Sequence, residues 1–98
     1  MYASIRKYSI IPGAVEEVMR RIEGGFLPII SEASGYLAYY ALRVGTNEVI
    51  TISIFDTLTG AQESNPLAFE WVQKYIADLV QGGPDVTGGR VFAAGIGA

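Results

Sequence analysis

The chain has 98 residues, of which 50% are hydrophobic and 17% charged; it carries a formal net charge of -3 and contains neither cysteine nor histidine. That length bounds it to a single domain over residues 1–98. The acidic balance, with seven dispersed basic residues, excludes nucleic acid and anionic membrane surfaces as partners, and the missing Cys and His exclude disulfides, thiolate or imidazole metal sites and a Ser-His-Asp triad.

No N-terminal stretch has the basic-then-apolar pattern of a signal peptide, and no apolar run approaches the ~20 residues of a membrane span, so a cytoplasmic protein is expected. So apolar a composition on so small a domain leaves too few polar residues to cover its surface. A second copy of the chain is expected to cover part of it.

"MYASIRKYSII" (Met1 to Ile11) reads as a strand, stopped at Pro12-Gly13. The period then changes: Val15, Val18, Met19, Ile22, Phe26, Ile29, Ile30 and Ala33 share one helical stripe. Gly24-Gly25 and Pro28 interrupt the pattern without shifting its phase. The reading is one helix from about Ala14 to Ser34, kinked or loosened at "GGFLP", with two separate helices as the alternative. "YLAYYALRV" (Tyr36 to Val44) and "EVITISIFD" (Glu48 to Asp56) are strands joined by a short turn. On the second, Ile50, Ile52 and Ile54 face one way and Val49, Thr51, Ser53 and Phe55 the other, the pattern of a sheet covered on both sides.

From Thr57 the chain reads as helix in two pieces, "TLTGAQES" and "SNPLAFEWVQKYIADLVQ", the second with Asn65 as N-cap and Pro66 at its first position. Ala68, Phe69, Val72, Tyr75, Ile76, Leu79 and Val80 form its expected buried stripe, with Trp71 and Leu67 to one side. "GGP" at Gly82 to Pro84 ends the helix, and "TGGRVFAAGI" supplies the last strand. The order β-α-β-β-α-β is the ferredoxin-like α+β arrangement, with one four-stranded antiparallel sheet and both helices on one face. Its other face stays bare unless a partner covers it, and a homodimer with the two sheet faces together is the simplest solution.

The strand order, the length, "YLAYY", "SIF" and "ESNPLAFEWV" together resemble the antibiotic biosynthesis monooxygenase superfamily of dimeric α+β barrels, and in particular its small uncharacterised bacterial members. The resemblance implies the fold firmly and the chemistry loosely, because this fold hosts cofactor-free oxygenases, haem degraders and proteins without an assigned reaction. Haem degraders of the family ligate iron through a histidine, which this chain lacks. The cofactor-free branch uses Asn, Trp, Tyr and Arg in the second half of the chain; the matching types are Asn65, Tyr75 and Arg90, while Phe69 stands at the expected Trp spacing and Trp71 two residues along. The resemblance therefore implies a cofactor-free oxidation of an aromatic or polyketide-like molecule. Asn65, Tyr75 and Arg90 would be catalytic, and Phe55, Phe69 and Trp71 would wall the pocket.

Each residue also has a plain structural reading. Asn65 is a routine cap, Tyr75 a core tyrosine, and Arg90 a solvated or ion-paired strand residue; Trp71 walls a pocket, packs on a partner or covers the end of the helix. Arg6 shares a strand face with Tyr2, Ser4 and Tyr8, where a cation needs either a carboxylate partner or a polar cavity, so it joins the substrate-binding candidates. Tyr39 and Tyr40 point to opposite faces, so one of them lines a given pocket, and Tyr40 is taken as that candidate. Two non-enzymatic readings stand beside the oxygenase: a module that holds a small apolar ligand without chemistry, and a purely structural dimer.

Overall fold

In a computed structural model describing residues 1–97, the chain forms a four-stranded antiparallel sheet with its helices on one face. The strands are β1 (Tyr2–Ile10), β2 (Tyr36–Val44), β3 (Glu48–Phe55) and β4 (Val80–Arg90), in the order β2-β3-β1-β4. This is the ferredoxin-like topology expected from the element order. Residues Ser4, Arg6, Tyr8 and Ile10 of β1 and Val49, Thr51, Ser53 and Phe55 of β3 point to the helices and are buried. On the opposite face Ile5, Ile50, Ile52 and Ile54 stay partly exposed, with Tyr40 and Leu42 of β2 exposed beside them. Within one chain the sheet is therefore covered on one side only.

The first helical run is continuous, as the unbroken stripe requires, but it ends at Ile30 rather than Ser34. It consists of α1 (Val15–Arg21), a π-helical turn (Ile22–Phe26) and α2 (Leu27–Ile30). The Leu27 N–H donates to the Ile22 carbonyl five residues back, which widens the ladder just before Pro28, the residue with no N–H to donate. Gly25 lets that turn approach the second helix closely, whereas a β-carbon on Gly24 would meet nothing within 4 Å. A β-carbon on Gly25 would stand 3.1 Å from Cζ2 of Trp71.

The second helix departs from the two-piece reading. α3 runs unbroken over Leu58–Tyr75, with Pro66 in its interior and Thr57 as N-cap, its hydroxyl accepting from the Gly60 N–H at 3.0 Å. An interior proline costs about 3 kcal/mol in helix propensity, but Pro66 lies on the exposed side and deprives only the carbonyl of exposed Gln62 of its partner. Burial of the opposite face outweighs that loss. Because the helix starts eight residues before Pro66, its buried stripe is Ala61, Ser64, Ala68, Trp71 and Val72, continuing to Ile76 beyond its end. Trp71 is thus a core residue at 6% exposure, while Phe69 and Tyr75, expected on the stripe, are 54% and 55% exposed. Asn65 caps nothing and turns toward the sheet.

After α3 a 3-10 turn (Ala77–Leu79) leads directly into β4, so "GGP" lies inside a strand rather than ending a helix, and 91–97 continue beyond it without strand structure. An edge strand tolerates this, because Pro84 need not donate to a neighbour. The pairing with β1 slips between Lys7 and Ser9, where Gly82 takes a φ of 72° that a residue with a side chain avoids. No helix among the described residues is long and apolar enough to cross a membrane.

Candidate functional site

The polar centre of the layer between sheet and helices is Arg6, a mid-strand arginine only 1% exposed. Its Nη1 donates to Ser64 Oγ at 3.2 Å and to Asn65 Oδ1 at 3.0 Å, and its Nη2 to Ser53 Oγ at 2.6 Å. Ser4 Oγ donates to the same Asn65 oxygen at 2.6 Å, and Ser64 Oγ to the Ala61 carbonyl at 2.6 Å. An arginine can only donate, so Oδ1 of Asn65 is the atom that faces it and the amide NH₂ points away. All these partners are neutral. Lys7, Arg20, Arg21, Arg43 and Lys74 pair with carboxylates, whereas Arg6 pairs with none among the described residues. Of the two arrangements that make a buried arginine tolerable, the structure has the polar surround and lacks the salt bridge.

The surround is incomplete. Arg6 Nε and Thr51 Oγ1 are buried without a well-formed hydrogen bond, although the neutral phenols of Tyr8 and Tyr39 approach Arg6 and that of Tyr39 approaches Thr51. Both residues line a small cavity of about 10 Å³, room for the centre of a single water, whose other walls include Tyr8, Tyr39, Phe26 and Trp71. Burial pushes the Tyr39 phenol up to about 12 and raises that of Tyr8, while the nearby Arg6 cation pulls both the other way without offsetting burial. Both phenols are therefore neutral at pH 7. Because both folded-state values lie above the unfolded value of about 10, the contribution of each phenol to stability is complete below pH 10 and is lost as pH rises above it, for Tyr39 toward 12. Urea denaturation at rising pH should show stability falling above pH 10 by up to about 1.4 kcal/mol per pH unit for each such group, with a shallower fall in Tyr39→Phe. An unchanged slope in that variant would refute the assignment.

Several open concavities flank α3. On the side of β4 a cleft of about 290 Å³ is bounded by Ser4 and Asn65 together with Leu58, Gln62, Val86 and Gly88. On the other side a groove of about 480 Å³ runs between the π-helical turn and α3, over Gly24, Gly25, Ile29, Trp71 and Tyr75. There the Trp71 ring lies 5.7 Å from that of Tyr75 and 5.6 Å from that of Phe26, and Arg21 Nη1 donates to the Tyr75 carbonyl at 2.7 Å.

The residues singled out in the sequence fall into separate places. Asn65 and Arg6 meet directly, and Arg90, opposite Tyr2 in register, lies on the same sheet face but outside the lining of the β4-side cleft. Tyr75 and Trp71 share the other groove. Phe69 stands over Gly82, Gly83 and Pro84, and Phe55 is core, its ring edge-on to Tyr36. Tyr40 points to the open face of the sheet and Tyr39 to the helix side, the reverse of the choice made between them. The residues not singled out are Thr51, Ser53 and Ser64. Their signal was present in the two hydroxyls on the inward face of an otherwise Val/Ile/Phe strand, opposite Arg6 and Ser4 in register.

No family model and no curated protein matches the chain. Solved structures do. A protein of unknown function from Nitrosomonas europaea superposes with a TM-score of 0.80 at 22% identity, covering 99% of this chain and 94% of its own. A monooxygenase from the gene ActVA-Orf6 of Streptomyces coelicolor, in complex with nanaomycin D, gives 0.74 at 13% identity over 99% and 92% of the two chains. A putative antibiotic biosynthesis monooxygenase from Chloroflexus aurantiacus gives 0.65 at 22% identity over 98% of each. Likeness at these identities is likeness of fold: the chain has the fold of the antibiotic biosynthesis monooxygenase-type proteins.

Proposed function

We propose that the protein is a cofactor-independent monooxygenase for an aromatic or polyketide-like small molecule, working as a cytoplasmic homodimer joined through its open sheet faces. Asn65 carries this reading. It is freed from any capping role, its oxygen is held by Ser4 and Arg6, and its NH₂ is left as a donor on the wall of the β4-side cleft. A substrate methylene flanked by aromatic rings and a carbonyl is acidic enough to ionise by itself. Its carbanion passes electrons to O₂, and the peroxide formed collapses to ketone and water: R₂CH₂ + O₂ gives R₂C=O + H₂O. The protein has to bind, orient and stabilise developing negative charge, with Asn65 donating to the oxygen and Arg90 at the end of the same face.

Dithranol under air is the test substrate, with an anaerobic control. Asn65→Ala and Arg90→Ala are expected to slow oxidation by about tenfold or more, and Tyr75→Phe, on the other side of α3, to leave it unchanged. Unaltered rates in the first two would remove this site. A second reading, a binding module without chemistry, is favoured by one observation: burial raises the titration of both phenols of the inner cavity, so neither serves as a base at pH 7. Dithranol bound without turnover would establish it.

A further inference from the structure

We infer that Arg6 is the anchor of an inner anion site, separate from the cleft at Asn65, which takes a flat aromatic molecule bearing an ionised oxygen and admits it past Trp71. A guanidinium has five N–H donors. Three are used on Ser64, Asn65 and Ser53, so Nε–H and one hydrogen of Nη2 are left, and Nε is buried without a partner. Thr51 Oγ1 is the second unpartnered buried atom, and it borders the same cavity. A cation at 1% exposure, with no carboxylate beside it among the described residues and only neutral phenols near its remaining donors, is a costly arrangement in the empty protein. An anionic oxygen at this point supplies the missing charge, accepts from both remaining arginine donors and offers Thr51 an acceptor.

The small cavity of about 10 Å³ has room for one such oxygen, so the rest of the molecule must lie elsewhere. Trp71 decides where. Among the described residues its indole is the one side chain that walls both this cavity and the 480 Å³ groove outside. It lies against Gly25, in a turn that presents no side chain at 24 or 25 to hold it, and its ring neighbours are Phe26 inside and the exposed Tyr75 outside. Turning the indole outward joins the two spaces into a slot with Arg6 at its end and aromatic walls along it. The ligand class follows: an aromatic carboxylate or phenolate, its ring between Trp71 and Tyr75 and its charge on Arg6.

Benzoate and benzamide differ in this charge and hardly in shape, and Trp71 is the chain's one tryptophan, so its emission, excited where neither compound absorbs, reports the indole's surroundings. Calorimetric titration of the wild type is expected to give benzoate an affinity on the order of tenfold above benzamide, with a shift of Trp71 emission as it binds. Arg6→Met is expected to abolish the preference, and Thr51→Val to reduce it. Equal affinities in the wild type overturn the anion site, as does a preference that survives in Arg6→Met. If Arg6→Met does not fold, the wild-type ratio decides together with Thr51→Val. Formate binding as tightly as benzoate, with Trp71 emission unmoved, removes the aromatic slot. If neither benzoate nor benzamide binds, the inner site is refuted, and dithranol turnover reports separately on the cleft at Asn65.

Discussion

Ser53→Ala is expected to lower the free energy of unfolding by about 2 kcal/mol, while Arg6→Met, which removes far more of the network, is expected to stay within about 1 kcal/mol of the wild type. The asymmetry follows from what each change leaves behind. Ser53 supplies the 2.6 Å acceptor to Nη2, and its deletion strands part of a buried charge that has no carboxylate to fall back on. Arg6→Met removes the charge itself and keeps most of the side-chain volume. Ser64 still donates to the Ala61 carbonyl and Ser4 to Asn65, so Ser53 is the main group left short of a partner. Urea unfolding of the ligand-free protein reads both values. A loss of 3 kcal/mol or more in Arg6→Met would mean that the arginine is a structural keystone, and its cation would then need no ligand to justify it.

The second large effect concerns the open face of the sheet. Ile52 pairs with Ile5 on β1 and with Tyr40 on β2, so it stands at the middle of the apolar patch that also contains Leu42, Ile50 and Ile54. Stable monomers seldom leave so continuous an apolar face to water, and a second copy seated on it would bury an area on the order of the 800 Å² per partner of ordinary interfaces. Under the dimer proposal Ile52→Asp places a carboxylate, desolvated and unpaired, at the centre of the contact. The expected loss is about 4 kcal/mol, or roughly a thousandfold in dissociation constant. Light scattering after size exclusion should then move from twice the chain mass to 10.5 kDa, with the helical signal in circular dichroism retained. A wild type that elutes as a monomer would end the dimer proposal.

What the sequence determined by itself is the frame. Local chemistry settles it: periods of two and of 3.6, the turn glycines at Gly13, Gly35 and Gly45, and the inward and outward sides of β3 all depend on residues near one another in the chain. The loosening around Gly24, Gly25 and Pro28 was legible for the same reason, and it takes the form of a π-helical turn.

What tertiary structure decided is the phase of α3 and everything that hangs on it. Asn65-Pro66 has the local signature of a helix start, yet packing of Ala61, Ser64 and Ala68 against β1 and β3 extends the helix back to Leu58 and carries Pro66 inside it. That extension buries Trp71, exposes Phe69 and Tyr75, and delivers Ser64 and Asn65 to Arg6 across 58 and 59 residues of chain. No local pattern encodes such a meeting. The absence of a carboxylate beside Arg6 is likewise a property of the assembled core, because ten acidic residues were available in the sequence and only their positions in space left this cation without one.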